Sequence, residues 1–291
     1  MIKITVPATS ANLGPGFDCL GIALNLYNTF YFEKTEDDFK YIDLPEKYSN
    51  RNNLIVRSSL ETYKYLGIEP IYYSIFNEST VPIARGLGSS ATCIAAGILA
   101  AVKLSEKNVS IDEMISIASK LEGHPDNTTP AIIGGLVSCV NSNKVLYNKY
   151  NVNDSLKFTV VIPPFKLSTN EARGVLPKTL GYDDVIFSMS RAINIPKALE
   201  EGNVEMLYHL LKDKLHQPYR FELIKGSKSY LNFSKKNKIP FCISGSGSTM
   251  LFISKESIIE KLQKINDSYE VMELKVDSGG AKIEEWFFSG S

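Results

Sequence analysis

The opening residues alternate. Ile2, Ile4 and Val6 fall on one side of an extended chain, which predicts a strand over residues 2–6. A second strand is predicted over 22–32, where IALNLYNTFYF is rich in β-branched and aromatic types. Pro7, Gly14, Pro15, Gly16 and Gly21 punctuate the loop between them. NLIVRSSLETYKYL at 53–66 reads as a helix opening near Asn53, and IYYSIF at 71–76 as a strand. ATCIAAGILAAVKL predicts a helix that begins at Ser89 or Ser90. Another begins at Ser110, where Glu113 three residues on completes a capping-box signature. In that helix Ile111, Ile115 and Ala118 share a face, and Glu122 falls on the same face at the last turn. A carboxylate in line with an apolar stripe is expected to point inward.

Downstream, GGLVSCV and LKFTVVIPPF are strand-like, residues 184–215 are helix-rich, and IPFCISGSGSTMLFI reads as strand, Gly/Ser turn, strand. A helix over 255–266, the strand VMELKV and a Gly-Gly turn before AKIEEWFF end the chain. Strands and helices mix throughout, so the expected class is α+β. The 291 residues suit two domains of about 150 residues each. The composition places the boundary near residue 155, giving 1–155 and 156–291.

Composition narrows the function classes. Hydrophobic residues are 44% and charged residues 22%, which is ordinary for a globular chain. Lys plus Arg and Asp plus Glu are both 32, so no general attraction to nucleic acid or an anionic membrane follows. Cys19, Cys93, Cys139 and Cys242 are scattered without a C-x-x-C pair, and read as buried, reduced thiols. The first residues read as strand and loop rather than a signal peptide, and no stretch is apolar enough to span a bilayer. The expected location is the cytoplasm.

The chemistry is concentrated in PIARGLGSSAT, residues 82–92, followed by a helix of small residues. Glycines allow close backbone approach, and free N–H groups at a helix start favour an anion. Two adjacent hydroxyls there could add a phosphate contact and a Mg²⁺ contact. The bland competitor is a Gly-rich turn with a serine cap. A sharper rival is a dinucleotide fingerprint, since Gly86, Gly88 and Ala91 match G-x-G-x-x-A. That fingerprint should follow a strand directly, whereas Pro82 and Arg85 precede it here. A Walker A loop is excluded, because the chain has no Gly-Lys-Ser/Thr.

With these residues in view, the chain resembles the GHMP kinases (galacto-, homoserine, mevalonate and phosphomevalonate kinases). VPATSANLGPGFDCLGIAL resembles the family's first motif, PIARGLGSSAT the second, and ISGSGSTM at 243–250 the third. EGHPDNTTPAIIGG at 122–135, STNEAR at 168–173 and HQPYR at 216–220 resemble the branch that phosphorylates homoserine. The resemblance implies a two-domain α+β fold. Its N-terminal α/β domain carries a left-handed βαβ unit, and its C-terminal domain is ferredoxin-like. ATP would lie in the cleft between them, on Pro82, Ile83, Ala84, Arg85, Gly86, Leu87, Gly88, Ser89, Ser90, Ala91 and Thr92. Some relatives form homodimers.

Residue roles follow from the same resemblance. Mg²⁺ is implied on Ser90 and Glu122. The inward direction of Glu122, read from periodicity, agrees with that role. L-homoserine is a zwitterion. Its carboxylate is implied on Arg173 and Arg220, and an arginine fork suits that geometry. Its remaining groups are implied on Asn12, Asp18 and Asn127, although turn chemistry beside Gly14, Pro15 and Gly16 competes for Asn12 and Asp18. Mevalonate-type members carry a catalytic aspartate where this chain has Asn127, so Asp126 is not assigned as a base. The hydroxyl proton is expected to pass late to the γ-phosphoryl oxygens, with Thr169 orienting the step. His124 reads as an acid/base group or a turn-side structural histidine. Ser244–Gly247 are expected to support the phosphate loop. Asn53 is a contact to adenine or an N-cap. The competing functions are another GHMP kinase, a nicotinamide-dependent oxidoreductase and a catalytically dead ATP-binding regulator.

Overall fold

Ile4 and Val6 are fully buried along β1 (Ile2–Ala11), in a computed structural model that describes residues 1–286. β1 pairs antiparallel with β2 (Leu20–Lys34), and the register slips between Pro7 and Ala8. Pro7 has no N–H to give a ladder, so an irregularity beside it loses little pairing. β2 also pairs with β4 (Tyr73–Ser79) through residues 28–34 and with β5 (Leu136–Asn141) through residues 20–22. β3 (Lys40–Tyr41) lies parallel to β4, β6 (Val145–Tyr150) pairs with β5, and β11 (Lys282–Glu285) covers the outer edge of β1.

Four helices pack against this sheet and one another: α1 (Leu54–Leu66), α2 (Ser89–Ser105), α3 (Ile111–Glu122) and α4 (Pro125–Ile133). α2 is central. Its small residues let α1 approach so closely that a Cβ on Gly97 would stand 2.2 Å from the Ile55 carbonyl oxygen. The capping box at Ser110 and Glu113 forms as expected, and Ile115 and Ala118 are buried. Ile111, in the first turn, is instead 51% exposed, because the inward stripe starts one turn later.

The second sheet has the order β10 (Glu270–Leu274), β7 (Lys157–Ile162), β9 (Met250–Ser254), β8 (Phe241–Ile243), all antiparallel. Between β7 and β8 come α5 (Thr169–Gly174), α6 (Tyr182–Ala192), α7 (Ile195–Glu201), α8 (Val204–Leu210), α9 (Gln217–Arg220) and α10 (Ser227–Asn237). Only α11 (Ile259–Gln263) lies between β9 and β10. This is the β-α-β-β-α-β plan of a ferredoxin-like unit, with helices multiplied in the first crossover. The class is α+β.

The boundary expected near residue 155 falls in the link from β6 to β7, and the chain recrosses it after β10. Lys275 accepts from the Asn25 N–H at 2.9 Å, and β11 joins the first sheet. Residues 287–291, the end of the expected span 156–291, lie outside the described residues. Cys19 is exposed and Cys93 half-buried, whereas Cys139 and Cys242 are buried as expected. Among the described residues no helix is long and apolar enough to cross a membrane.

Candidate active site

The turn at residues 80–88 separates β4 from α2, so a direct strand-to-helix dinucleotide turn is absent at this place. Ala84, Gly86 and Gly88 all have positive φ. Four consecutive carbonyls of this turn are bound elsewhere in the protein. The Ala84 oxygen accepts from Leu167 N–H at 3.0 Å, that of Arg85 from Thr249 N–H at 3.0 Å, and that of Leu87 from Thr9 N–H at 3.1 Å. The Gly86 oxygen accepts from Ser244 Oγ at 2.6 Å. Among the described residues the N–H groups of 84–88 donate to none. α2 then starts at Gly88 without a side-chain cap, so its own first amides are also unspent. The turn thus directs its acceptors into the protein and keeps its donors, which is an anion-binding arrangement.

The glycines serve packing as much as any ligand. A Cβ on Gly86 would stand 2.2 Å from the Ser244 carbonyl oxygen, and one on Gly88 1.9 Å from Thr9 Oγ1. The 244–249 turn therefore braces the 82–92 loop, with Ser244 Oγ also reaching Ser10 Oγ at 2.8 Å. Ile83, Ala84, Arg85, Gly86, Gly88, Ser89 and Ser90 line a cleft of about 700 Å³. Leu87, Ala91 and Thr92 are buried, and Pro82 stands off the cleft wall. Thr92 Oγ1 donates to Ser89 O and accepts from Asn28 Nδ2, both at 2.8 Å.

Ser90 and Glu122 meet in this cleft, Ser90 Oγ donating to Glu122 Oε2 at 2.8 Å. Burial raises the Glu122 carboxyl above its usual range, and the Ser90 bond only partly offsets that. Gly123, at φ +91, ends α3 directly after it. The inward reading of Glu122 is thus matched in the geometry.

α4 was not foreseen. Pro125 suits its first turn, and Pro130 stands inside it, where a proline removes one helix hydrogen bond. Pro130 lacks the N–H that would bond the Asp126 carbonyl. That carbonyl lies so close to Gly21 that a Cβ there would approach it to 1.7 Å. The helix brings Asp126 and Asn127 to the cleft wall. Asn127 Oδ1 accepts from Thr9 Oγ1 at 2.8 Å, which fixes its amide beside the loop. His124 caps α4 by position, with Nδ1 3.4 Å from Asp18 Oδ2. Burial lowers the His124 pKa despite Asp18 nearby.

The far end of the cleft is a network of charges. Arg173 binds Asp18 through both terminal nitrogens, at 2.8 and 3.2 Å. Arg220 is buried, with Nε donating to Ala172 O at 3.2 Å and Nη1 donating to Gly245 O at 3.2 Å. Nη1 also lies 3.2 Å from His216 Nδ1. His216 Nε2 is 2.7 Å from Gly14 O, so the neutral Nε2–H tautomer satisfies both contacts. The Phe17 ring lies 5.4 Å from the Arg173 guanidinium and 5.0 Å from that of Arg220, and stacks on His216. Asn12, at φ 58, accepts from Asp18 N–H at 2.8 Å and donates to Gly245 O at 3.0 Å. Its amide is engaged in the turn. Thr169 is exposed at the start of α5 and lines the cleft, behind a capping box of Ser168 and Glu171.

Asn53 lines the cleft, but its side chain caps α1 by accepting from Ile55 N–H at 2.9 Å and donating to Tyr48 O at 2.8 Å. Leu44, Pro45 and Tyr48 also line that end and were missed, since residues 42–52 carry no periodicity. Phe17 was missed too, although it stands inside GPGFD.

Residues 53–135 match the family described as GHMP kinases N terminal domain. The chain is 39% identical to a homoserine kinase of Clostridium botulinum over 97% of this chain and 98% of that one. It is 40% identical to a homoserine kinase of Clostridium beijerinckii, over 98% and 99%. In three dimensions it is similar to the crystal structure of homoserine kinase from Cytophaga hutchinsonii, with a TM-score of 0.87 at 24% identity, covering 97% of each chain.

Proposed function

This chain belongs to the homoserine kinase family of the GHMP kinases, and we propose that its cleft moves the γ-phosphoryl group of ATP onto the side-chain hydroxyl of L-homoserine, giving O-phospho-L-homoserine and ADP. One observation carries the reading. A single cleft joins the donor-rich turn at 84–88 to the Arg173 and Arg220 guanidiniums, with Ser90, Glu122 and Asn127 also on its walls.

The triphosphate would take the unspent amides of 84–88 and the first turn of α2, with ribose and base towards Asn53, Tyr48 and Leu44. Phosphoryl transfer asks mainly for charge neutralisation and in-line placement. Glu122 and Ser90 offer two hard oxygen donors side by side, one a carboxylate desolvated by burial. That set fits Mg²⁺, which takes few protein ligands and completes its shell with phosphate oxygens and water. When bound there, Mg²⁺ would neutralise charge developing on the phosphates.

The acceptor carboxylate would lie between Arg173 and Arg220, so Arg173 must give up part of its hold on Asp18. Asp18 and the turn held by Asn12 then face the ammonium. Asn127, fixed through Oδ1 by Thr9, keeps its N–H₂ to orient the acceptor hydroxyl. Thr169 lines the same cleft. The hydroxyl proton passes to the transferring phosphoryl oxygens as the P–O bond forms. All four cysteines are free, which suits a reducing compartment, and the cytoplasm is the proposed location. Purified protein given ATP, Mg²⁺ and L-homoserine should form O-phosphohomoserine by ³¹P NMR. Faster turnover of mevalonate or a sugar, or none of homoserine, would overturn the reading.

A further inference from the structure

Asp126 has no part in the mechanism above, yet it is the most conspicuous carboxyl in the cleft. The residue is 1% exposed and lines the acceptor end. Its Oδ1 is buried with no hydrogen-bond partner, and among the described residues no cation pairs with the group. Burial, with Asp18 and then Glu122 nearby, raises its carboxyl to about 7, against the pull of Arg173. Thr128 and Thr129 of α4 also have orphaned hydroxyls, but neither lines the cleft.

The other charged side chains at this end already have polar partners. Asp18 holds Arg173 by two bonds and faces His124, while Arg220 is held by Ala172, Gly245 and His216. A zwitterionic acceptor brings one anion and one cation. Its carboxylate has two guanidiniums to go to. Its ammonium meets one carboxylate already occupied by an arginine, and one that among the described residues has no cation and leaves Oδ1 unbonded.

We propose that Asp126 is a second receptor, beside Asp18, for the α-ammonium of the acceptor, and that it makes the site select an amino acid over the corresponding hydroxy acid. The inference rests on the reading of the acceptor as homoserine. A salt-bridged ammonium lets the buried carboxyl ionise, so a group that is energetically poor without a partner becomes a good one with the acceptor bound. An acceptor without the ammonium leaves Asp126 as it was, and draws no benefit from it.

The test compares L-homoserine with 4-hydroxybutyrate, which lacks only the ammonium, by dissociation constants measured with ADP present on wild-type and Asp126→Asn protein. Asp126→Asn should weaken homoserine about 10–100-fold while 4-hydroxybutyrate moves by less than about 3-fold. Because each ratio is taken on one preparation, partial misfolding cancels. Equal losses for both ligands, or no change for homoserine, would overturn the inference. Wild-type turnover of homoserine in the same samples tests the parent reading separately. If it is present while the ratio stays fixed, only the role of Asp126 falls.

Discussion

At the proposed phosphate end of the cleft the protein offers backbone, and at the proposed acceptor end it offers charged side chains. The first is assembled in advance. Carbonyls 84–87 are bound to Leu167, Thr249, Ser244 and Thr9, which leaves the N–H groups of the turn free to donate to a ligand. The second is assembled against itself, with Arg173 closed on Asp18 and Arg220 on its own neighbours. A phosphate can therefore enter the first without displacing anything. An amino acid must open an ion pair in the second, so its binding free energy is a difference between old and new contacts. Affinity is cheaper at the phosphate end, and discrimination is stronger at the acceptor end.

The largest expected effect probes the boundary between the two ends. Glu122→Gln keeps the shape and the Ser90 contact but removes the charge that would hold Mg²⁺. It should cut kcat by about 10²–10³-fold, the scale of losing one preorganised electrostatic group, with the KM of homoserine nearly unmoved in steady-state assays. A change confined to homoserine KM would place Glu122 at the acceptor end and break the division drawn here. Next in size is Arg173→Lys. It keeps the charge but loses the two-nitrogen fork, and should raise the KM of homoserine about 10–100-fold while leaving that of ATP within about 2-fold. An equal rise in both would show that the two ends are not separate.

The same division decides what could be read from the sequence. The proposed phosphate end could be picked out as a candidate because its parts are contiguous. PIARGLGSSAT needs only the free amides of one turn, and a capping box and a heptad-like face sufficed to aim Glu122 at it. The acceptor end draws on residues 12–18, 124–127, 169–173 and 216–220, and only the family resemblance joined them. Even then the pairing of Arg173 with Asp18, the aromatic surface of Phe17 and the isolation of Asp126 are properties of three-dimensional contact, with no local pattern to announce them. α4 was hidden by Pro130, and β6 by an edge position that leaves Leu146 61% exposed and breaks the alternation. Residues 275–285 could not be assigned to the first sheet from composition, because nothing local records which edge a strand will cover.

A pH series sharpens the comparison further, since the acceptor end titrates. Burial and the facing Arg220 hold His216 neutral, with its pKa down to about 4 from 6.5. Between those values the unfolded chain binds the extra proton, so this group makes stability fall as pH drops. Asp126 acts oppositely. Its carboxyl is raised from 3.8 to about 7, the folded chain keeps the proton in between, and its contribution is lost as pH rises. The two slopes oppose one another between about pH 4 and 6.5 in the wild type. Asp126→Asn should unmask the His216 slope, so that its melting temperature climbs with pH across that window by a few degrees more than wild type. Parallel curves for the two proteins would show that Asp126 is ionised in the fold.

The smallest effect concerns Phe17. Its ring faces both guanidiniums at 5.0 and 5.4 Å and stacks on His216, yet it has no group that could bond a substrate. If the acceptor end depends on how its side chains are held, a residue that only holds should still be felt there. Phe17→Leu keeps the apolar volume and loses two cation–π contacts, each worth about 0.5–1 kcal/mol where partly exposed. The arginines stay but lose a surface that limits their orientation, so part of that energy is recovered by relaxation. The expected result is a rise of about 3–10-fold in the KM of homoserine, with kcat and the KM of ATP unchanged. A fall in kcat alone would mean that the ring positions the reacting hydroxyl rather than the carboxylate clamp, and the acceptor end would then have to be divided again.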